Sequence, residues 1–156
     1  MLALDKEEIA EAFDKDEVLN VPDLRNVQWP FLDYFGVVHL SGHLGFIVLQ
    51  SPNGGQNRGM MMHRAKRTAK KPRMDMCSCC HHVHRKSGTA MLTVSLKGSK
   101  ERHSLGNVVC KDLDCSLEMR NLVQPDRFMR GTLYQPAKIW RMKTTMHKWL
   151  GLANQL

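Results

Sequence analysis

The sequence reads Cys77-Ser-Cys-Cys80 at one point and Cys110-Lys-Asp-Leu-Asp-Cys115 about thirty residues later, and these two stretches decide the fold. In the first stretch two residues separate the outer cysteines, so a tight turn can direct both sulfurs at one ion. In the second stretch the pair lies where a short strand is predicted to enter a helix. Zinc prefers four such ligands in tetrahedral geometry, at about 2.3 Å each. We therefore predict one Zn²⁺ ion bound by Cys77, Cys80, Cys110 and Cys115.

A zinc ion held by four thiolates has a structural role. Such a closed site leaves no position for water, so it stabilises the fold and performs no chemistry. The four thiolates leave the centre with a negative charge, which cations flanking the ligands in the sequence can offset. These cations are Arg73, Arg85, Lys86, Lys111 and Arg120.

Other residues near the cysteines leave alternatives open. Cys79 is the fifth cysteine and is not among the predicted ligands. We expect its side chain to point away from the ion, because the side chain of its neighbour Cys80 points in the opposite direction. Ligand exchange with Cys79, or a histidine in place of one sulfur, is a further alternative. Without a metal, the cysteines would be buried free thiols. The candidate histidines, otherwise expected on the hairpin surface or in contact with a ligand, are His81, His82, His84 and His103.

The cysteine count and the apolar pattern indicate a cytoplasmic protein. There are five cysteines and an acidic N-terminus without an export signal, which argues against a disulfide framework. No apolar run approaches the roughly 20 residues of a membrane helix. We therefore expect a soluble monomer in a reducing compartment, with no small-molecule substrate.

Length and hydrophobic periodicity predict an α+β fold in a single domain over residues 1–156. Pro22 is expected to end the first helix and Gly151 the last. The N-terminal helix, the zinc-binding core and the C-terminal helix are expected at residues 1–20, 76–120 and 136–150. The last helix has an apolar stripe that is expected in the core, formed by Ile139, Met142, Met146, Trp149 and Leu150.

A small antiparallel sheet is predicted between these helices. The Asn53-Gly54 pair is a strong hairpin signal, and a helix is expected to begin near Asp112–Asp114. The aromatic segment from Trp29 to Phe35 is expected to anchor the core. Apolar or alternating runs predict strands at residues 45–50, 59–62, 90–96 and 108–109.

Charge is unevenly distributed along the chain. Residues 1–33 contain nine acids against three Lys and Arg residues, whereas residues 34–156 contain twenty Lys and Arg residues against six acids. The net charge of +8 suits an anionic partner such as nucleic acid, the ribosome or an acidic protein face, or else serves solubility alone. A basic connector over residues 63–75 is either a solvated linker or an arm that contacts phosphates.

The order of knuckle, hairpin and short strand into helix is that of a treble clef, and the residues resemble one treble-clef family. Residues 109–117, with Arg120 soon after, are similar to the second ligand segment of the FBP-type C-terminal treble-clef zinc-finger domain. This domain belongs to the elongation factor G-binding, fusidic-acid-resistance-type proteins. The resemblance covers roughly residues 10–150. Further similar segments follow in the same order, at Trp29–Gly36, Met76–His84 and Ser104–Asn107.

The resemblance implies a binding protein of the translation apparatus. Members of the family bind elongation factor G and help to release it from a ribosome stalled by fusidic acid, and the zinc-bearing domain carries the contact surface. The best-known members have an additional N-terminal helical domain, which we do not expect in this chain, and an aromatic residue where this sequence has Ser78. The candidate partner surface is the basic hairpin and loop near the zinc, formed by Arg85, Lys86, Lys97, Lys100 and Arg102.

Direct RNA binding, through the same basic residues and the 63–73 arm, is the alternative function. Aromatic residues make up only 6% of the chain, which argues against stacking on single-stranded bases. A zinc deaminase needs a His-x-Glu motif, which the sequence lacks. A metal-dependent nuclease using His81, His82, His84 and Asn107 needs a second metal site, and the sequence shows no acidic cluster for one. We therefore predict that the protein is not an enzyme.

Overall fold

The computed structural model describes residues 1–13, 21–52, 55–65, 74–98, 102–123 and 132–153. Within these residues the chain combines helices with antiparallel strands, as predicted. The helices α1, α2 and α3 span Lys6–Glu11, Cys115–Met119 and Gln135–Leu152, and a short 3-10 turn spans Trp29–Phe31. The strands β1 to β7 span Phe35–Val38, Leu44–Gln50, Asn57–Arg64, Asp75–Met76, Val83–His84, Thr89–Ser95 and Ser104–Cys110.

Five strands form one antiparallel sheet in the order β1-β2-β3-β6-β7, and β4 pairs with β5 in a separate ribbon. The four predicted strands are present as β2, β3, β6 and β7. Strand β2 buries five consecutive residues, 45–49, because both of its faces are covered. The hairpin of β6 and β7 has Cys110 at one end, opposite Thr89, and its loop at the other end, beyond the pair Ser95 and Ser104.

The sheet separates two hydrophobic clusters. The adjacent residues Tyr34 and Phe35 are both buried, and they belong to different clusters because successive side chains point to opposite faces of a strand. One cluster contains Tyr34, all five cysteines and the buried face of α3. The other contains Phe35 and side chains of β2 and of the N-terminal segment. The aromatic segment therefore anchors both sides of the sheet.

The N-terminal helix is shorter than predicted in its described part, since α1 has only six residues. The Ala12 carbonyl accepts a hydrogen bond of 2.7 Å from the Gly59 amide of β3, so the chain leaves the helix to join the sheet. Phe13 then packs edge-on against Phe46, with ring centroids 5.9 Å apart. Residues 14–20 of the predicted helix lie outside the described residues.

Gly59 leaves the room that the Phe13 ring occupies. A Cβ atom at Gly59 would lie 2.4, 2.5 and 2.6 Å from three atoms of that ring. Because the ring is already packed against Phe46, the substitution Gly59→Ala is expected to displace it and lower the free energy of unfolding by about 1–3 kcal/mol. Urea denaturation measures this as a lower transition midpoint.

Gly151 supplies the matched control for this substitution. The prediction that Gly151 ends the last helix was wrong, because α3 continues to Leu152 and is capped by Ala153. A Cβ atom at Gly151 would meet nothing within 4 Å, and alanine is a better helix former than glycine by about 1 kcal/mol. Gly151→Ala should therefore raise the midpoint. A Gly59→Ala protein as stable as the parent would contradict the packing described here.

Helix α3 covers the cluster that contains the cysteines. Pro136 lies in its first turn, as predicted. The Gln135 side chain donates a hydrogen bond of 3.3 Å to the Met119 carbonyl and so joins α3 to the end of α2. None of the helices in the described ranges is long and apolar enough to cross a membrane. The predicted apolar stripe faces the core, with Ile139 partly buried beside the buried Met142, Met146, Trp149 and Leu150.

Candidate metal centre

Four buried sulfurs meet at one point in the structure. Cys77 Sγ lies 3.7 Å from Cys115 Sγ, and Cys80 Sγ lies 3.5 Å from Cys110 Sγ. All four sulfurs lie within 4.8 Å of one another. Tetrahedral bonds of about 2.3 Å to zinc place the sulfurs about 3.8 Å apart, whereas a disulfide requires about 2.05 Å. The residues present therefore fit a Zn²⁺ ion and do not fit a pair of disulfides.

The first knuckle is a turn between β4 and β5. The Cys80 amide points at Cys77 Sγ from 3.4 Å, the arrangement that stabilises a thiolate. His81 has a φ of 59°, in the left-handed region, which lets the chain reverse directly after Cys80. The Ser78 amide donates a hydrogen bond of 2.7 Å to the Val108 carbonyl of β7. The first pair of ligands is therefore held against the strand that leads to the second pair.

The second knuckle joins the end of β7 to the start of α2. Cys110 is the last residue of β7, and Cys115 is the first residue of α2, which begins where predicted. Asp114 is the N-cap residue, although its side chain makes no capping hydrogen bond. Leu113 has a φ of 58°, a strained conformation for a bulky side chain. Its side chain is buried against Gly36, where a Cβ atom would come within 2.8 Å of Leu113 Cβ, so this packing holds the strained turn.

Hydrogen bonding among the four ligand sulfurs shifts the pKa values of their thiols in different directions. Hydrogen bonds from Cys110 and Cys115 lower the pKa of Cys77. Hydrogen bonding to Cys115 and Cys77, together with burial, raises the pKa of Cys110. The incoming zinc ion must displace these protons, so its apparent affinity decreases as the pH falls.

Cys79 lies outside the group of four sulfurs but is fully buried beside it. Its exposure is 0%, and it belongs to the same hydrophobic cluster as the four ligands. Hydrogen bonding to Cys77 and burial raise its pKa, so it is a neutral thiol at physiological pH. Tyr34 packs at the same place, where burial and then the charge of Cys115 raise the pKa of its hydroxyl.

The histidines occupy different positions around the centre. His84 Nε2 lies 3.3 Å from Cys110 Sγ, within hydrogen-bonding distance of the sulfur. His82 Nδ1 lies 3.7 Å from a carboxylate oxygen of α2, and the rings of His82 and His84 meet edge to face with centroids 4.6 Å apart. His81 and His103 are exposed. His84 thus contacts a ligand, one of the roles that the sequence left open.

The carboxylate near His82 belongs to Glu118, a residue that the sequence analysis missed. Glu118 is only 8% exposed, and burial, followed by the charges of Asp114 and Cys77, raises its pKa to about 7. One acidic residue of α2 therefore lies beside the histidines. The available signal was the spacing of Cys115 and Glu118, since residues three apart share one face of a helix.

Arg120 does not offset the charge of the zinc centre as expected. Its guanidinium binds the Asp33 carboxylate, with 2.6 Å from Nη1 to Oδ2 and 3.3 Å from Nη2 to Oδ1. The Asp33 amide also donates a hydrogen bond of 3.0 Å to Ser116 Oγ in α2. The aromatic segment and the second ligand segment, which carry the family resemblance, are therefore in direct contact.

The predicted partner-binding residues that the structure describes lie at two different ends of the β6–β7 hairpin. Arg85 and Lys86 lie before β6, at the end of the β6–β7 hairpin that contains Cys110. Lys97 and Arg102 lie at the loop end, and seven residues of strand separate the two ends by about 20 Å. These four side chains are exposed, whereas Lys100 lies outside the described residues. We call Arg85 and Lys86 the near pair, and Lys97 and Arg102 the far pair.

The basic connector predicted over residues 63–75 is described only at its two ends. Strand β3 continues to Arg64, and β4 begins at Asp75. Residues 66–73, which carry Arg73 and most of the basic side chains of this segment, lie outside the described residues.

Two cysteine pairs around one ion, the second at a strand-to-helix junction, define a treble-clef zinc finger. The model of the family described as FBP C-terminal treble-clef zinc-finger matches residues 9–151. The match covers most of the chain, and the protein belongs to this family. Zn²⁺ is therefore the ion that fits the four sulfurs, as the sequence predicted.

One solved structure with the same fold is that of the fusidic acid resistance protein FusC. The TM-score is 0.58 at 17% sequence identity, and the similarity covers 74% of this chain and 52% of FusC. This chain thus spans about half the length of FusC. At this level of identity the likeness demonstrates a shared fold. No curated protein matches the chain at a significant level.

Proposed function

We propose that this protein is a zinc-stabilised binding protein of the cytoplasmic translation apparatus, and that it contacts elongation factor G, the adjacent ribosome, or both. Membership of the FBP treble-clef family over residues 9–151 carries the proposal. The family resemblance noted in the sequence associates this domain with elongation factor G. A monomer that binds one copy of the factor is the simplest form of this function.

A binding role, and not an enzymatic one, is consistent with the chemistry of the zinc centre. The four sulfur ligands are at most 2% exposed, and together they fill the tetrahedral positions of the ion. No position is left at which a water molecule could be activated. The zinc ion therefore supports the surface around it, and the exposed side chains of that surface make the contacts.

The far pair is the stronger candidate for the contact. The near pair lines a cavity together with Lys111, Asp112, Asp114 and Glu118, and the three carboxylates offset the charge of the three cations. Residues 97–103, which contain the far pair, carry three Lys and Arg residues and one acid. A local excess of positive charge attracts an acidic protein face and also fixes its orientation.

Charge reversal tests this assignment. The double variant Lys97→Glu, Arg102→Glu is expected to weaken binding to purified elongation factor G by about tenfold or more, because two attractive contacts become repulsive. Isothermal titration calorimetry of the zinc-loaded protein into the factor, at low and at higher salt, measures the affinity. The matched control is Lys143→Glu, Lys148→Glu, which changes the net charge equally at exposed positions of α3.

The outcomes separate the possible partners. Saturable one-to-one binding that is lost in the far-pair variant, and kept in the control, supports the proposal. The reversal of Arg85 and Lys86 shows whether the near pair contributes. Absence of binding to the factor, together with ribosomal RNA binding whose log affinity falls linearly with log salt, would instead assign the basic residues to phosphate contacts.

A further inference from the structure

We propose that the protein binds a second divalent metal ion of the zinc class, held by His82, His84 and Glu118 beside the structural zinc. One ligand atom from each of these residues lies within 4.8 Å of the other two. Two imidazoles and a carboxylate form a common ligand set for divalent first-row metals such as Zn²⁺ and Co²⁺. The four cysteines take no part in this set, so the inference goes beyond the proposed binding function.

The elements that hold the first ion also build the second group. His82 and His84 are separated by one residue at β5, directly after the first knuckle, and alternate residues of an extended strand point to the same side. Glu118 lies one turn after Cys115 in α2. Binding of the structural zinc fixes both elements, and so it also fixes the relative positions of the three side chains.

Glu118 has a buried carboxylate oxygen that a bound cation would stabilise. It is buried at 8% exposure, and its Oε2 atom has no hydrogen-bond partner in the structure. The distance from this oxygen to His82 Nδ1 is 3.7 Å, which is too long for a hydrogen bond. A buried carboxylate oxygen without a hydrogen bond is costly, and coordination to a metal ion removes that cost.

The distance between the ligand atoms of His82 and Glu118 is close to the distance expected in a metal site. Nitrogen and oxygen ligands at about 2.0–2.2 Å from a tetrahedral ion lie about 3.4 Å apart. The separation of 3.7 Å between His82 and Glu118 requires only a small side-chain rotation to reach this value. The rings of His82 and His84 are already in contact, with centroids 4.6 Å apart.

A route to the site and additional ligands are also present. A cavity of about 240 Å³ opens at this place, and His84 and Glu118 form part of its wall. The carboxylates of Asp112 and Asp114 line the same cavity, together with the basic side chains of Arg85, Lys86 and Lys111. Water in the cavity can complete the coordination. The second site is thus open, unlike the closed site of four sulfurs.

The test is a titration of the protein that already holds one zinc ion in its four-cysteine site. Addition of Co²⁺ is expected to give one further bound ion per chain, with weak visible absorption bands and none of the intense charge-transfer absorption that thiolate ligands produce. Glu118→Gln and His82→Ala should each weaken this second binding by about tenfold or more, because each removes a ligand. Both variants should still hold their first zinc ion.

His103→Ala is the control, since this exposed histidine lies outside the group and its loss should leave the second ion bound. Circular dichroism and the content of the first zinc ion show whether each variant is folded. If Glu118→Gln does not fold, His82→Ala alone decides the question. A single bound metal ion per chain in the parent protein, or a second ion whose affinity is unchanged in both variants, would overturn the proposal and leave His84 as a hydrogen-bonding neighbour of Cys110.

Discussion

The substitution Cys115→Ser is expected to abolish binding of the structural zinc ion and, with it, the native fold. Cys115 is fully buried at the start of α2, and its sulfur lies 3.7 Å from that of Cys77. Structural zinc sites contribute about 10–16 kcal/mol of apparent binding free energy near neutral pH. The net stability of a domain is only about 5–15 kcal/mol. Loss of the ion therefore removes about as much free energy as the whole free energy of unfolding of the domain.

Zinc content by elemental analysis and thermal unfolding followed by circular dichroism measure these effects. Treatment of the parent protein with a strong chelator should give the same unfolded state as the substitution. The matched control is Cys79→Ala, which changes an equally buried cysteine outside the group of four sulfurs. This variant should lose some packing but retain its zinc. A Cys115→Ser protein that folds cooperatively without metal would show that the zinc ion does not support the fold.

The partly buried pair of Asp33 and Arg120 is the second site at which a large effect is expected. Removal of either partner leaves the other charge without its counterpart, and the side chains are only 10% and 18% exposed. Asp33→Ala or Arg120→Ala should therefore lower the free energy of unfolding by about 3–5 kcal/mol. In the Arg120→Lys variant the shorter side chain loses the two-point contact with the carboxylate. The free energy of unfolding of this variant should lie between that of the parent and that of Arg120→Ala.

Urea denaturation of the zinc-loaded single and double variants gives a double-mutant cycle for this pair. The double variant should lose less free energy of unfolding than the two single variants lose together, because it leaves no unpaired charge. The control is the pair of Asp23 and Arg25, which has the same distance of 2.6 Å but is 51% and 87% exposed. Water screens that pair, so Arg25→Ala should cause no measurable change. Equal effects at the two pairs would contradict the role of burial.

The zinc ligands and the strands were predictable because their signals are local. The spacing within each cysteine pair lies inside one turn, and the apolar run of residues 45–49 needs no partner to be recognised as a buried strand. The same is true of the apolar stripe of α3, whose helical period is visible within a few turns. Each of these features depends on residues that are close in sequence.

The predictions that failed depend on contacts between distant residues. Asp33 and Arg120 are 87 positions apart, so nothing in the sequence shows that they pair. Helix α1 ends early because the Gly59 amide of β3 binds the Ala12 carbonyl. The separation of the basic residues into a near pair and a far pair was also not visible in the sequence, because it follows from the register of β6 with β7.

Glu118 was missed for a similar reason. Its helix has only five residues, and the chain gives no indication that this helix lies against His82 and His84. The ligand set of the second group comes from two elements that are brought together by the first zinc ion. A pattern of this kind becomes visible only when the first site has been placed in three dimensions.

The order of the ligands along the chain has a consequence for the protein during its synthesis. A ribosome makes the apolar strand β2 well before Cys115, and α3 follows later still. Until then the growing chain holds neither zinc nor its principal core. The zinc centre of the nascent protein can therefore form only after Cys115 has been made, and a shortage of zinc in the cell should appear first as degradation of newly made chains.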